Sequence, residues 1–430
     1  MQTIRNAARW LILAAAALRL FAPAISSAQP VQTKDIMIQG QLTPGFDEGV
    51  NSSAGITNWV NPNPADNSQK MSCPPNQAWC AMWLSYGPTL SGFPRPGIDM
   101  SSYSTMLVEL RGDSTKTITI GVKDNTHADD GTETKVRVLL TSDWRTYAIP
   151  LSSFGPSAIN RLYLVCEFVW DASSPWTAYV RTVRYSTAKA PVVAAVESAA
   201  GYQSGLVAGG WTYIGGANLS SSTRPWANND FQGTTLPVSL DGNSVQIGER
   251  NVSLDYISGG QINALPFGDV ATGSTYLTVT NTVGTSLPFA VTVQSIFPSL
   301  FAIDPSNKYV AAVHLDGSLV GKAGLFGSSV VSTPAARGET IEVYGTGFGP
   351  TNPPTVQDQL IQTAVPLANA SSWQARIGNV SATISYAGLT GSGLYQFNIT
   401  VPTSVSAGDQ TMVISSGSIS TQPGVFITVQ

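Results

Sequence analysis

The C-terminal half of this 430-residue chain carries one pattern twice. Tyr256 precedes Gly259-Gly260-Gln261-Ile262-Asn263 and then Pro266, while Tyr386 precedes Gly393-Leu394-Tyr395-Gln396-Phe397-Asn398 and then Pro402. Each copy closes on the same tripeptide, Thr292-Val293-Gln294 and Thr428-Val429-Gln430. Asn398 lies 135 residues beyond Asn263, and Gln430 lies 136 beyond Gln294. A shared offset of that length specifies two tandem domains rather than a solenoid. Both copies open on a segment that runs into glycines, Gly209 to Leu219 and Gly338 to Gly349. Each reads as a strand entering a turn where a residue without Cβ takes positive φ. A phosphate-cradling loop would need a Lys and a following helix, and neither is there.

The segment between the copies, 295–337, contains the alternating run Lys308 to Leu315, which predicts an ordered hairpin joining domains at 196–294 and 338–430. It also holds Tyr309, His314 and Asp316. A His and an Asp do not make a catalytic pair without a nucleophile in a matching turn, and no Gly-x-Ser-x-Gly occurs. Gln261 with Asn263, and Gln396 with Asn398, read as amides that satisfy backbone groups at a domain corner.

Residues 31–188 form a further unit of short alternating segments broken by Gly, Pro, Asn and Asp, the pattern of an all-β sandwich. Met106, Val108 and Leu110 alternate with Leu107, Glu109 and Arg111. Ile118, Ile120 and Val122 alternate with Thr117, Thr119 and Lys123, and Val136 and Val138 with Lys135 and Arg137. Leu162, Leu164, Cys166 and Phe168 alternate with Tyr163 and Glu167. Successive strand residues face opposite ways, so each segment has an apolar core face and a mixed face. The fold class is therefore all-β throughout.

The N-terminus reads as a secretory signal peptide, residues 1–28: Arg5 and Arg9, an apolar run from Trp10 to Leu20, and the small-residue cleavage site Ser26-Ser27-Ala28. The apolar run is short for a membrane span and is broken by Arg19 and Pro23. Removing it takes three Arg and no acid, so the exported chain is more acidic than the −4 of the whole. That charge argues against nucleic acid and anionic membrane as partners. Only 11% of residues are charged, against about 25% in ordinary soluble domains. In an oxidising compartment Cys73 and Cys80, joined through Pro-Pro, read as a disulfide, leaving Cys166 as a buried thiol. With two histidines far apart, no metal site is expected, and no cofactor.

The candidate site lies on the mixed faces. Glu109, Arg111, Lys123, Arg137, Tyr163 and Glu167 sit opposite the apolar residues of their strands. From Ala78 to Tyr86, Met82 and Leu84 share a face and leave Trp79 and Trp83 on the other. Placed on one sheet, these side chains would make a charged groove edged with aromatics, suited to sugar rings and their hydroxyls. Otherwise they would form a solvated face knitted by cross-strand ion pairs.

The first unit resembles jelly-roll carbohydrate-binding modules of the galactose-binding-like type. The resemblance rests on Ile98-Asp99-Met100-Ser101-Ser102-Tyr103, on Leu140 to Leu151 with Trp144 and Pro150-Leu151, and on a last strand from Thr177 to Tyr185. Arg181 stands where such modules often place an Asp of a structural calcium site, a departure that leaves the calcium site open. Trp144 is expected in the core. The duplicated half is similar to an uncharacterised secreted C-terminal domain family of acidobacterial proteins and to paired IPT/TIG immunoglobulin-like domains. That similarity is carried by Leu236 to Gly242, Tyr256 to Asn263, Tyr344 to Asn352, Gly393 to Asn398 and Gly424 to Gln430.

The chain is thus expected to be a non-enzymatic, secreted or cell-surface protein that binds an extracellular glycan, with the immunoglobulin-like pair as spacer or docking module. One alternative is an adhesive protein that contacts other cell-surface proteins. Another is a glycoside hydrolase using Glu109 and Glu167, against which Lys123 and Arg137 would lower carboxyl pKa values.

Overall fold

In the computed structural model, residues 30–113, 116–155, 159–170, 176–304, 306–356 and 358–430 are described. The expected signal peptide lies outside them. Among the described residues there are strands and short 3₁₀ turns but no α-helix, and no helix is long and apolar enough to cross a membrane.

Twelve strands build the first domain: β1 (Thr33–Ile38), β2 (Gln41–Leu42), β3 (Phe46–Ser52), β4 (Val60–Asn63), β5 (Ser68–Ser72), β6 (Cys80–Tyr86), β7 (Thr105–Gly112), β8 (Thr117–Asp124), β9 (Lys135–Leu139), β10 (Arg145–Pro150), β11 (Leu162–Trp170) and β12 (Thr177–Ser186). They form two sheets. One runs β10, β7, β12, β1, β2, with β5 also on β12 and β4 on β5; the other runs β3, β6, β11, β8, β9. The apolar faces read from the alternation, among them Met82, Val108, Leu110, Ile120, Val122 and Phe168, meet in one buried core. Trp59, Trp170 and Trp176 close one part of it, with ring centroids 5.1 and 5.0 Å apart.

Strict alternation fails on β11. A bulge between Leu164 and Cys166 shifts its register against β6, so Val165 and Cys166 both enter the core. An extra residue in one strand re-aims the side chains around it.

Cys73 and Cys80 are bonded, with Cα atoms 6.0 Å apart. Cys166 is free and buried, and burial pushes its thiol well above the usual range. Peptide mapping without reductant should therefore link Cys73 to Cys80, and alkylation of Cys166 should need denaturant. A native chain labelled at Cys166 would contradict this burial.

In the first repeat, Thr212–Ala217 pairs with Gln261–Leu265, which pairs back on Ser253–Ile257. In the second, Thr340–Thr346 pairs with Leu394–Thr400, which pairs back on Val380–Gly391. The registers correspond, since Tyr256 faces Asn263 and Tyr386 faces Asn398. The Gln261 amide donates to Asn263 at 2.8 Å, and the Gln396 amide to Asn398 at 2.7 Å. The segment between the copies does not stand apart. Its hairpin of Ala312–His314 and Leu319–Val320 pairs onto Thr340–Thr346 and extends the second repeat's sheet. His314 there pairs with Glu339, while Asp316 accepts from Ser318 within its own turn.

The two repeats share a small core of their own that includes Trp211, Leu236, Leu265, Phe301, Tyr344 and Leu394. Backbone pairing reinforces it, with Leu236 N–H donating to Asp358 O and Leu360 N–H to Thr234 O, both at 2.8 Å. The first repeat also caps the edge strand β10. Ala148 N–H donates to Thr285 O and Thr285 N–H to Thr146 O, each at 2.8 Å, and Arg145 donates to Gln246 at 2.6 Å. An edge paired in this way no longer templates other strands. The second sheet keeps its outer face clear of these contacts.

Candidate functional site

Cross-strand partners order that outer face into rows. One row contains Gly49, Trp83, Glu167, Gly121 and Lys135. Its neighbour contains Asn51, Ala81, Val169, Thr119 and Arg137, and on the other side lie Asp47, Ser85, Leu164 and Lys123. Two glycines shape the central row. A Cβ on Gly49 would stand 2.2 Å from Trp83 Cε2, so the indole lies directly against the strand there. A Cβ on Gly121 would stand 3.1 Å from Lys135 Cγ and 3.4 Å from Glu167 Oε2, so those side chains crowd over the second glycine.

Above the rows is a groove of about 710 Å³, whose lining includes Trp79, Trp83, Leu90, Asp130, Lys135 and Glu167. Trp79, just ahead of β6, is 39% exposed, and Leu90 is 37% exposed. The loop around 88–95 and the turn 124–134 form one wall. Buried Arg95 ties them together by pairing with Asp129 and donating to His127 O at 3.2 Å. Its guanidinium lies 4.7 Å from the Phe93 ring and 5.0 Å from the Tyr163 ring. Tyr163 is only 2% exposed, and its hydroxyl accepts from Leu90 N–H at 2.5 Å. It anchors the wall rather than offering a ring to a ligand.

Two carboxyls, Glu133 and Glu167, lie in contact under this wall. Glu133 pairs with Lys135 at 2.5 Å and with Lys123 at 3.6 Å, and Lys123 also reaches Asp129 at 3.1 Å. Glu133 Oε2 and Glu167 Oε2 are both buried and have no other hydrogen-bond partner. Burial, followed by the charge of Glu133, pushes the Glu167 carboxyl up to about 8. The Lys135 ammonium and a bond to Glu167 hold Glu133 low against its own burial. The expectation that Lys123 and Arg137 would lower the Glu167 carboxyl is thus reversed: desolvation and a second carboxyl outweigh the lysines. His127, Asp130 and Glu133 bring ligand-type atoms within 4.8 Å of one another. They are not assigned as metal ligands, because two ammonium groups already hold Glu133.

The eight residues expected on one groove divide between the two sheets. Trp79, Trp83, Lys123, Tyr163 and Glu167 line the groove, and exposed Arg137 continues its face on β9. Glu109 and Arg111 belong to β7 in the opposite sheet. There Glu109 pairs with Arg181 and accepts from Thr182 at 2.9 Å, and Arg181 holds its carboxyl low. Arg111 pairs with Asp66 at 2.9 Å and lies 3.9 Å from the Tyr179 ring. Trp144 is on this face as well, only half-buried, 4.5 Å from the Arg181 guanidinium and 5.3 Å from that of Arg111. The expected core position of Trp144 is therefore corrected; cation–π contacts hold it at the surface. Glu109 and Glu167 face away from each other across the sandwich and cannot flank one glycosidic bond.

Arg95, Asp129, Glu133 and Lys135 were not singled out from sequence. Three of them sit on loops, where no periodicity marks a face, and Lys135 stands in the alternation only as the neighbour of Val136.

No protein-family model matches the chain, and no curated protein does. Among solved structures it is similar to a family 29 carbohydrate-binding module, at 8% identity and TM-score 0.27, covering 37% of this chain and 94% of that one. A variant family 29 module complexed with mannohexaose gives 10% identity and TM-score 0.27, covering 37% and 95%. The family 30 module of a cellulosomal cellulase of Clostridium thermocellum gives 15% identity and TM-score 0.29, covering 36% and 96%.

Proposed function

We propose that this is an exported, non-catalytic protein whose first domain binds a polysaccharide in the groove of its second sheet. The observation that carries the reading is the Trp83 indole laid against Gly49, with exposed Trp79 further along the face and Glu167 and Lys135 in the same row. An aromatic face offers a platform to the C–H face of a sugar ring, and adjacent carboxyl and ammonium groups hydrogen-bond its hydroxyls. The two tryptophans are four positions apart, roughly 13 Å of extended chain, so each would meet a different ring of one glycan. Binding at a single site is weak in this reading, because sugar hydroxyls exchange water for protein partners of nearly equal worth.

The repeats would act as a spacer or docking module of the immunoglobulin-like kind. Their shared core and the strand pairing at β10 favour a stiff connection. The test is affinity electrophoresis of the full exported chain through gels containing soluble glucans, mannans or xylans, followed by calorimetry. Retardation in at least one gel is expected. Free migration in all of them would remove the glycan reading and leave the adhesive one. Mass spectrometry of the same secreted material should find an N-terminus near Gln29.

A further inference from the structure

We infer that the groove is closed to its ligand by alkali, because Glu133 and Glu167 hold one proton between them and losing it releases the wall at 129–135. The inference rests on the groove being the ligand site. Two observations meet in it. Both side chains crowd over Gly121, and Oε2 of each is buried with no hydrogen bond to any other group, the Lys123 ammonium standing 3.6 Å from that of Glu133. A pair of ionised carboxylates in contact is strongly unfavourable, and one shared proton satisfies both oxygens. The second is position. Glu167 belongs to the sheet and is the cross-strand partner of Trp83, whereas Glu133 belongs to the turn that forms the wall. The shared proton therefore joins wall to floor beside the aromatic platform.

The charges around the pair make it responsive. From β8 comes Lys123, divided between Glu133 and Asp129. From β9 come Lys135, paired with Glu133, and Arg137 one row away. The turn adds Asp129, Asp130 and His127, with Arg95 from the opposing loop on Asp129. From β3, Asp47 accepts from Thr89 N–H at 3.0 Å at the far side of the wall. Strand β6 faces the pair with Trp83 and no charge. Lys123 and Lys135 thus serve Glu133 and Asp129 already, and among the described residues no third ammonium pairs with Glu167.

The sign follows directly. Below the raised Glu167 value of about 8 the pair is singly charged and the wall is held. As pH rises through that value both carboxyls ionise, the contact turns repulsive, and ligand is lost. At pH 9.5, roughly 1.5 units higher, affinity should fall by roughly 30-fold if only the protonated form binds.

A local readout is needed, because Asp255, fully buried in the first repeat, is itself pushed up to about 7 by burial and would colour any global melting curve. Hydrogen exchange of the full exported chain, corrected for intrinsic rates, should show residues 129–135 losing protection between pH 6.5 and 9.5. Glu167→Gln, which cannot ionise, should keep protection at both values. Glu133→Gln is the second variant: with that carboxylate gone, an ionised Glu167 meets free ammonium groups, and alkaline loss should again vanish. Unchanged protection in the wild type, or equal loss in both variants, overturns the inference. In parallel, retention in glucan, mannan and xylan gels should fall with pH for the wild type, whereas for Glu167→Gln, whatever its retention at pH 6.5, the ratio between pH 6.5 and 9.5 should stay near one. Absence of retention at every pH would remove the glycan reading, while the exchange measurement still decides the switch.

Discussion

Trp83→Ala is expected to abolish measurable retention by polysaccharide while the protein stays folded. The indole lies on the outer face over Gly49, away from the sandwich core, and is only half-buried. Its removal takes away a binding platform and little packing. A stacked aromatic contributes about 1.5 kcal/mol, roughly tenfold in affinity, which carries a weak interaction below detection. Gly49→Ala gives an independent check, because the added methyl would collide with the ring and displace it without removing it. It should lose binding alongside Trp83→Ala. Trp144→Ala, on the opposite sheet between Arg111 and Arg181, should bind as the wild type does. Equal loss from Trp144→Ala, or full binding by Trp83→Ala, would move the site off this groove.

Trp211→Ala should cost about 3–5 kcal/mol of stability, the range for deleting a large buried aromatic, and should loosen one repeat from the other. Trp211 is 2% exposed within the core that both repeats share. Its backbone N–H donates to Thr346 Oγ1 at 2.8 Å, and its indole N–H donates to Ser392 O at 2.9 Å. Gly393 has no room for a Cβ, which would stand 2.8 Å from the indole nitrogen. Alanine therefore leaves a cavity, an unpaired carbonyl and a severed crossing between the repeats. Calorimetry should show the repeat unit unfolding earlier and in separate steps, with polysaccharide retention below that temperature unchanged. A shift worth less than about 1 kcal/mol would mean that the repeats hold together without this contact.

Much of the local structure was legible in the residues themselves. Alternation marks β7, β8 and β9 and tells which residues of each face the core. The duplicated Gln-x-Asn segments occupy matching strands in matching register, because the same local pattern meets the same partner Tyr in both copies. The bulge in β11 has one trace in the sequence, the apolar Val165 between Leu164 and Cys166, but an apolar residue on the mixed face does not by itself specify a bulge.

What the sequence determined by itself was therefore a property of each strand: its extent, its apolar face and the close cysteine pair. What only the tertiary structure decided was which faces share a sheet. A period of two places a side chain on one side of its strand and is silent about the neighbouring strand. So Glu109 and Trp83 look equivalent in sequence yet lie on opposite outer faces, one locked to Arg181 and the other in the groove. The Glu167 carboxyl depends on tertiary structure in the same way. Its protonation follows from burial and from Glu133, which a turn more than thirty residues earlier in the chain delivers beside it; charge interactions are set by distance in space, which strand periodicity does not encode.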